Sequence, residues 1–296
     1  MIKVNRSRIQ EPSILINDNK SNSGEKYRAI NHVEIQGLEL KDFKFSLYKD
    51  EEIKEGLKEL FHGKCAYCES IFIHNAYGQI EHWRPKKGVT ENTNHSGYYW
   101  LASDWENLLW ACPVCNSKGN KGNHFPLFNS SSYALKSSDD INKEQPLLIN
   151  PCNDNPISHL EYNEEGFIKD KTPMGKKSIE IYGLDRPDLT AERIKMANEI
   201  RRNIRIIIKN IDSMSFHMKL IQEGNTSEEL RKVIDDEKII IDDAFLALKD
   251  KLNPSSEFVG MNKFLINMYK EKYQENEIFL KLTNEKLGTK ILQLVL

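Results

Sequence analysis

Two cysteine pairs, Cys65-Ala66-Tyr67-Cys68 and Cys112-Pro113-Val114-Cys115, each offer two thiolates from one tight turn. Four sulfurs satisfy tetrahedral Zn²⁺, and a four-cysteine site is coordinatively closed, so the pattern predicts a structural zinc that holds the fold together and leaves no position for substrate. In a chain expected to work in the cytoplasm, paired Cys-x-x-Cys turns point to metal before disulfide. Cys152 is left over and reads as a small, inert side chain. Residues 69–111 lie between the two knuckles, more chain than a simple zinc ribbon needs, so this segment must build something of its own.

That segment carries Gln79-Ile80-Glu81-His82-Trp83-Arg84-Pro85-Lys86, then Tyr98-Tyr99-Trp100-Leu101, then Asp104-Trp105-Glu106-Asn107-Leu108-Leu109, and the second knuckle continues as Cys115-Asn116-Ser117-Lys118-Gly119. The order resembles the HNH (ββα-metal) endonuclease family: a first cysteine pair, an acidic-His strand, an Asn-Leu segment and a closing Cys-x-x-Cys-Asn. At finer grain, Cys-Ala-Tyr-Cys-Glu, Glu-His-Trp-Arg-Pro-Lys, Trp-Glu-Asn-Leu-Leu and Cys-Pro-Val-Cys-Asn-Ser-Lys-Gly are similar to the HNH effector nucleases of Septu-type anti-phage systems, including retron-associated versions. A weaker echo continues through Leu147–Pro151, His159-Leu160 and Tyr182-Gly183-Leu184-Asp185-Arg186.

The resemblance implies phosphodiester hydrolysis, which needs an activated water, a cation to neutralise charge on the phosphoryl oxygens and a leaving group held opposite the attack. His82 is the expected base, because an imidazole can accept the water's proton at neutral pH. Mg²⁺ or Mn²⁺ takes oxygen ligands and keeps several waters, so Glu81 and Asn116 are the expected catalytic metal ligands, with His124 as a less favoured alternative to Asn116. The family further implies a β-hairpin presenting Glu81-His82 against a helix beginning near Asn116, with Asn107 holding the hairpin turn. Arg84 and Lys118 are the candidate phosphate contacts, and Arg84, Lys86, Lys87, Lys118 and Lys121 form an expected local basic patch. The implied substrate is nucleic acid, DNA by preference, and the implied partner is an ATPase of the same defence system. A rival reading is a catalytically silent zinc module that recognises nucleic acid or protein.

Several elements must position these residues. From Asp50 to His62 the apolar residues Ile53, Leu57, Leu60 and Phe61 recur at helical spacing, and Gly63 stands where a helix would end. Before it, Asn17–Lys26 reads as a loop and Val33–Leu38 as a strand. After the second knuckle, Asn129–Asn142 reads as a linker and Pro146–Pro151 as a short apolar strand. Beyond Pro187 a period of three to four residues runs through Leu189, Ile194, Ala197, Ile200, Ile204, Ile207 and Ile211, a long amphipathic helix. Thr226-x-x-Glu229 has the form of a capping box, and a further periodic stretch runs through Phe264, Leu265, Met268 and Phe279.

The expected architecture is therefore α+β: an N-terminal arm over residues 1–50, a zinc-stapled nuclease unit over 51–130, a linker with short strands packing on it over 131–187, and a mainly helical C-terminal region over 188–296. At 39% hydrophobic and 29% charged residues the composition excludes a wholly disordered chain. No stretch approaches the roughly 18–20 apolar residues that cross a bilayer, so a cytoplasmic protein without membrane contact is expected. Formal charge is −2, with 42 basic against 44 acidic residues, so any nucleic-acid contact must be a local patch.

Overall fold

The computed structural model describes residues 1–74, 76–130, 132–225 and 227–287. It is a helix-rich α+β chain with two two-stranded sheets, dividing into two compact units: Met1–Leu160 with Lys169–Arg186, and Glu161–Ile168 with the chain from Pro187 onward. Among the described residues no helix is long and apolar enough to cross a membrane.

The first unit opens with α1 (Ser13–Lys20), α2 (Glu25–Ile30) and α3 (Glu51–Leu60). Helix α1 takes Asn17–Lys20 and α2 takes Glu25 and Lys26 of the segment expected as a loop, and Asp18 caps α2, accepting from Glu25 N and Lys26 N at 2.6 and 3.3 Å. The strand expected at Val33–Leu38 is absent. Helix α2 runs straight on into a π-turn over Asn31–Ile35, and Ile35 and Leu38 stay 76% and 49% exposed, without the burial that would reward a strand. Helix α3 starts where Asp50 accepts from Glu52 N, buries Ile53, Leu57 and Leu60, and ends through His62 and Gly63, both left-handed with φ of 54° and 70°.

Strands β1 (Gln79–His82) and β2 (Leu108–Ala111) pair antiparallel, with Glu81 opposite Leu109 and His82 opposite Leu108. β2 is buried along its whole length and α3 packs against it. Gly78 leads into β1 because its backbone lies on Trp110: a Cβ there would sit 1.8 Å from the indole ring. The helix expected near Asn116 does not form. Residues 113–116 and 118–123 are turns, which suits a run containing Ser117, Gly119, Asn120, Gly122 and Asn123, all poor helix formers.

The N-terminal arm is woven into this unit. Arg6 is 6% exposed and donates to Trp105 O and Leu108 O at 2.6 and 3.0 Å, and Val4 N donates to Pro151 O. The segment expected as a linker, Asn129–Asn142, buries Tyr133 and Ala134, with buried Glu144 just past its end, and the expected strand at Pro146–Pro151 reduces to one bridge, Leu127 to Pro146, beside the fully buried Leu148 and Ile149. Strands β3 (Leu160–Tyr162) and β4 (Ile168–Asp170), of which Glu161, Tyr162 and Ile168 belong to the second unit, pair with each other, and α4 (Pro173–Tyr182) completes the first, capped by Thr172 and closed by left-handed Gly183.

The second unit consists mainly of α5 (Pro187–Gln222), α6 (Glu228–Lys251), α7 (Val259–Lys272) and α8 (Glu277–Leu287). α5 buries Leu189, Ala197, Ile200, Ile204, Ile207 and Ile211, as their period requires, and packs along α6, which buries Ile234, Ile241, Phe245 and Leu248. Thr226 of the expected capping box lies outside the described residues; Ser227 caps α6, its side chain accepting from Leu230 N at 3.2 Å.

Candidate zinc centre and imidazole site

The four thiols of Cys65, Cys68, Cys112 and Cys115 are all buried and their sulfurs lie within 4.8 Å of one another. Cys68 and Cys112 sulfurs are 4.0 Å apart, close to the edge of about 3.8 Å that Zn–S bonds of about 2.3 Å impose on a tetrahedron. The donor set fits zinc in number, softness and spacing. The backbone builds it: Ala66 N donates to Trp110 O, tying the first knuckle to β2, and Cys115 N donates to Cys112 Sγ at 3.4 Å. The echo around residue 182 has its place here as well. Tyr182 stacks on Tyr67 of the first knuckle at 3.9 Å, donates to Ile149 O, and Arg186 Nη1 lies 3.6 Å from Cys115 Sγ, where a cation offsets thiolate charge.

His82 closes β1 and is 5% exposed. Its Nε2–H donates to Ala102 O at 2.9 Å, and Lys86 Nζ donates to Nδ1 at 3.1 Å, so the ring is the neutral tautomer with its proton on Nε2. Burial holds the imidazole well below its ordinary pKa, and the Lys86 ammonium adds to the effect. Tyr48 meets the ring edge-on at 4.7 Å and carries Lys86 Nζ over its face at 4.4 Å. Lys86 is itself lowered to about 8, chiefly by burial. Asn107 joins the ends of the β-pair: its Oδ1 accepts from Arg84 N, and its Nδ2 donates to Arg84 O and Leu101 O, at 2.7, 3.0 and 3.0 Å.

Alternation along β1 puts Gln79 and Glu81 on one face and His82 on the other. Asn116 Nδ2 donates to Gln79 Oε1 at 2.9 Å, so it sits over the Glu81 face. Glu81 is 4% exposed and its Oε1 lies 3.2 Å from Nζ of the fully buried Lys121. The contact is an ion pair without hydrogen-bond alignment, and Oε1 accepts no hydrogen bond. Burial raises the Glu81 carboxyl and lowers the Lys121 ammonium, and each group opposes the other's shift. Lys121 is thus not a surface cation of the basic patch: it neutralises Glu81.

Arg84 is also spoken for. Its Nε donates to Glu144 Oε2 at 2.8 Å, and its guanidinium lies over the rings of Trp83, Phe125 and Tyr98, at 4.9, 5.3 and 5.8 Å. The expected phosphate contact is held as a half-buried clamp on a buried carboxylate, since Glu144 also accepts from Tyr98 Oη and Ala134 N. Lys118 is exposed, and Lys87 donates to Phe43 O. His124 Nδ1 meets Glu91 Oε1 at 2.7 Å, a carboxylate that also accepts from Phe125 N. The aromatic residues Tyr98, Tyr99, Trp100, Trp105 and Trp110 are buried as packing.

Comparison with known proteins follows this geometry. Over 242 residues, 77% of this chain and 81% of the relative, the sequence is 37% identical to Septu protein PtuB of Bacillus mycoides (strain KBAB4). The chain belongs to the Septu PtuB family. It is also 28% identical over 205 residues to Septu protein PtuA of the same strain, aligning with 67% of this chain and 28% of that longer protein. Family membership gives the Septu-type anti-phage relation that the motif order resembled. No protein-family profile and no solved structure matches the chain.

Sequence reasoning missed the residues that hold the imidazole's surroundings. Glu25, 1% exposed, accepts from Ser46 N, Leu47 N and Ser103 Oγ at 2.6, 3.0 and 3.0 Å, fixing the loop next to the Ala102 carbonyl. Nothing in a lone glutamate of an N-terminal arm signals this role. The buried His82 also sets a pH dependence. A folded-state pKa held below the unfolded value means the unfolded chain binds the extra proton first, so stability is full above about pH 6.5 and falls as pH drops below it, by ~1.4 kcal/mol per pH unit until the folded pKa is reached. His82→Gln, which keeps the donor to Ala102 O, is expected to flatten that part of the denaturation-versus-pH curve. An unchanged slope would remove His82 as its source.

Proposed function

We propose that this chain is a metal-dependent HNH-type endonuclease that hydrolyses phosphodiester bonds, in DNA, as an effector of anti-phage defence. The observation that carries the reading is the single-tautomer imidazole of His82, oriented by the Ala102 carbonyl at the end of a β-pair that Asn107 ties together. A neutral ring with its proton on Nε2 has Nδ1 as its basic atom, and a pKa below the ordinary value keeps that atom unprotonated at neutral pH.

His82 Nδ1 takes the proton of the attacking water while Nε2–H stays on the carbonyl. Lys86, which donates to Nδ1 at 3.1 Å, shifts onto the arriving phosphate and so takes the substrate contact first expected of Arg84, with exposed Lys118 as a second cation. Glu81 and Asn116 would hold Mg²⁺ or Mn²⁺, supported by an anionic Oε1 that accepts no hydrogen bond, with Lys121 giving up its contact there. The cation supplies charge neutralisation at the phosphoryl oxygens. In this reading a partner ATPase of the same defence system restrains the nuclease; the similarity to both Septu proteins, PtuB and PtuA, supports a partner protein.

A second reading, the silent zinc module, draws on the same site: both ring nitrogens of His82 are engaged and Glu81 is already neutralised. One experiment separates them. Purified protein with about one zinc per chain is expected to nick plasmid DNA when Mg²⁺ or Mn²⁺ is added, and His82→Ala to lower the rate ~10²–10⁴-fold with zinc content kept and the chain still folded. Retained cutting in the variant removes His82 from the chemistry, and a zinc-loaded wild type inert with both metals favours the silent module.

A further inference from the structure

Two of the five cations expected as a local basic patch, Arg84 and Lys121, are paired with Glu144 and Glu81, so a nucleic-acid ligand longer than the scissile phosphate needs cations beyond Lys86 and Lys118. The second unit offers them. A groove of about 450 Å³ on α5 is lined by Asn198, Arg201, Arg202, Arg205, Ile206 and Lys209. Arg202, Arg205 and Lys209 are exposed and, among the described residues, make no ion pair or hydrogen bond, unlike Lys195 on the same helix, which pairs with Glu192 at 2.6 Å. Arg201 is half-buried, held by Nη2 on Asn198 Oδ1 at 2.8 Å, with a buried Nε that has no partner. Of the carboxylates nearest in sequence, Glu199 is already paired with Lys251 at 2.6 Å, and exposed Asp212, three residues beyond Lys209, forms no ion pair with it.

From this we infer that the α5 groove binds the phosphodiester backbone of duplex DNA. Positions 202, 205 and 209 fall on one face of the helix and are spaced along its axis by about 4.5 and 6 Å, at 1.5 Å per residue. Three fixed cations at that spacing, on a chain whose net charge is −2, form a local row able to track consecutive phosphates rather than a general basic coat. No aromatic ring lines the groove, so it lacks the stacking platform on which splayed single strands are held. The choice of DNA as the polyanion rests on the nuclease reading; the requirement for a row of phosphates rests on α5 alone.

The test is anisotropy of a labelled duplex of about 30 base pairs, titrated with full-length protein at several salt concentrations. No Mg²⁺ or Mn²⁺ is added, and no chelator, which would strip zinc. Each neutralised phosphate contributes ~0.9 to the slope of log K against log salt, so Arg202→Gln/Arg205→Gln/Lys209→Gln is expected to make the slope shallower by ~2.7 and to weaken binding on the order of 10²-fold at 0.1 M salt. Lys232→Gln/Lys238→Gln/Lys249→Gln, on exposed positions of α6, removes the same charge and should leave the slope within about one. Equal loss in both variants, an unchanged slope in the first, no duplex binding by wild type, or stronger competition by single strands overturns the inference. Binding with the expected slope in a protein that cuts nothing supports the groove and removes the nuclease reading alone; cutting with an unchanged slope does the reverse.

Discussion

Cys112→Ser is expected to reduce bound zinc from about one per chain to near zero and to abolish the cooperative melting of the first unit. Cys112 does two jobs at the end of β2: its thiol lies 4.0 Å from that of Cys68, and its sulfur accepts from Cys115 N. Besides the metal, Ala66 N on Trp110 O ties the first knuckle to the strand that leads into the second. Structural zinc sites in small domains are worth ~10–16 kcal/mol, as much as or more than the ~5–15 kcal/mol of a typical domain's stability, so losing the metal is expected to unfold the unit rather than loosen it. The measurement is zinc content by mass spectrometry alongside thermal denaturation. A zinc-free variant that melts at the wild-type temperature would show that the sulfurs do not hold the fold.

Lys121→Met is expected to destabilise the chain by ~3–5 kcal/mol, because it strands a buried carboxylate without its counter-charge. Glu81 is 4% exposed and Lys121 fully buried, so water cannot take over from the lost ammonium. The double variant Glu81→Gln/Lys121→Met should recover much of the loss, since the cost lies in the unpaired charge rather than in the pair's net worth. Urea denaturation of the four proteins at neutral pH measures the coupling. A single variant within ~1 kcal/mol of wild type would mean that the pair is solvent-exposed in solution. The same series bears on the catalytic cation: if Glu81 holds it, Lys121→Met should bind Mn²⁺ more tightly than wild type, while Glu81→Gln should not bind it.

For the proposed nuclease these pairs have a common consequence. His82 Nδ1 is covered by Lys86 and Glu81 Oε1 by Lys121, so each group proposed for the chemistry is held by a cation. An arriving phosphate and a divalent metal would each have to displace one of them, which makes ligand binding and exposure of the base a single event.

Local features were legible from neighbouring residues alone. Cys-x-x-Cys places two thiols on one turn wherever it occurs, the spacing of Ile53, Leu57 and Leu60 makes one helix face, and the run from Leu189 to Ile211 makes another, because turn chemistry and helical period are read over a few neighbouring residues. The run of Gly, Asn and Ser after Cys115 favours turns, which is why the helix implied there by the family resemblance does not form. Which charges are spent emerges with long-range packing. Arg84 meets Glu144 sixty residues on, Lys121 meets Glu81, Glu25 fixes the loop beside Ala102, and Tyr182 stacks on Tyr67. A lysine bound for the core and one bound for water look alike in sequence. Their pKa, partner and role follow from desolvation and from neighbours that distant segments deliver, and neither has a period that neighbouring residues could reveal.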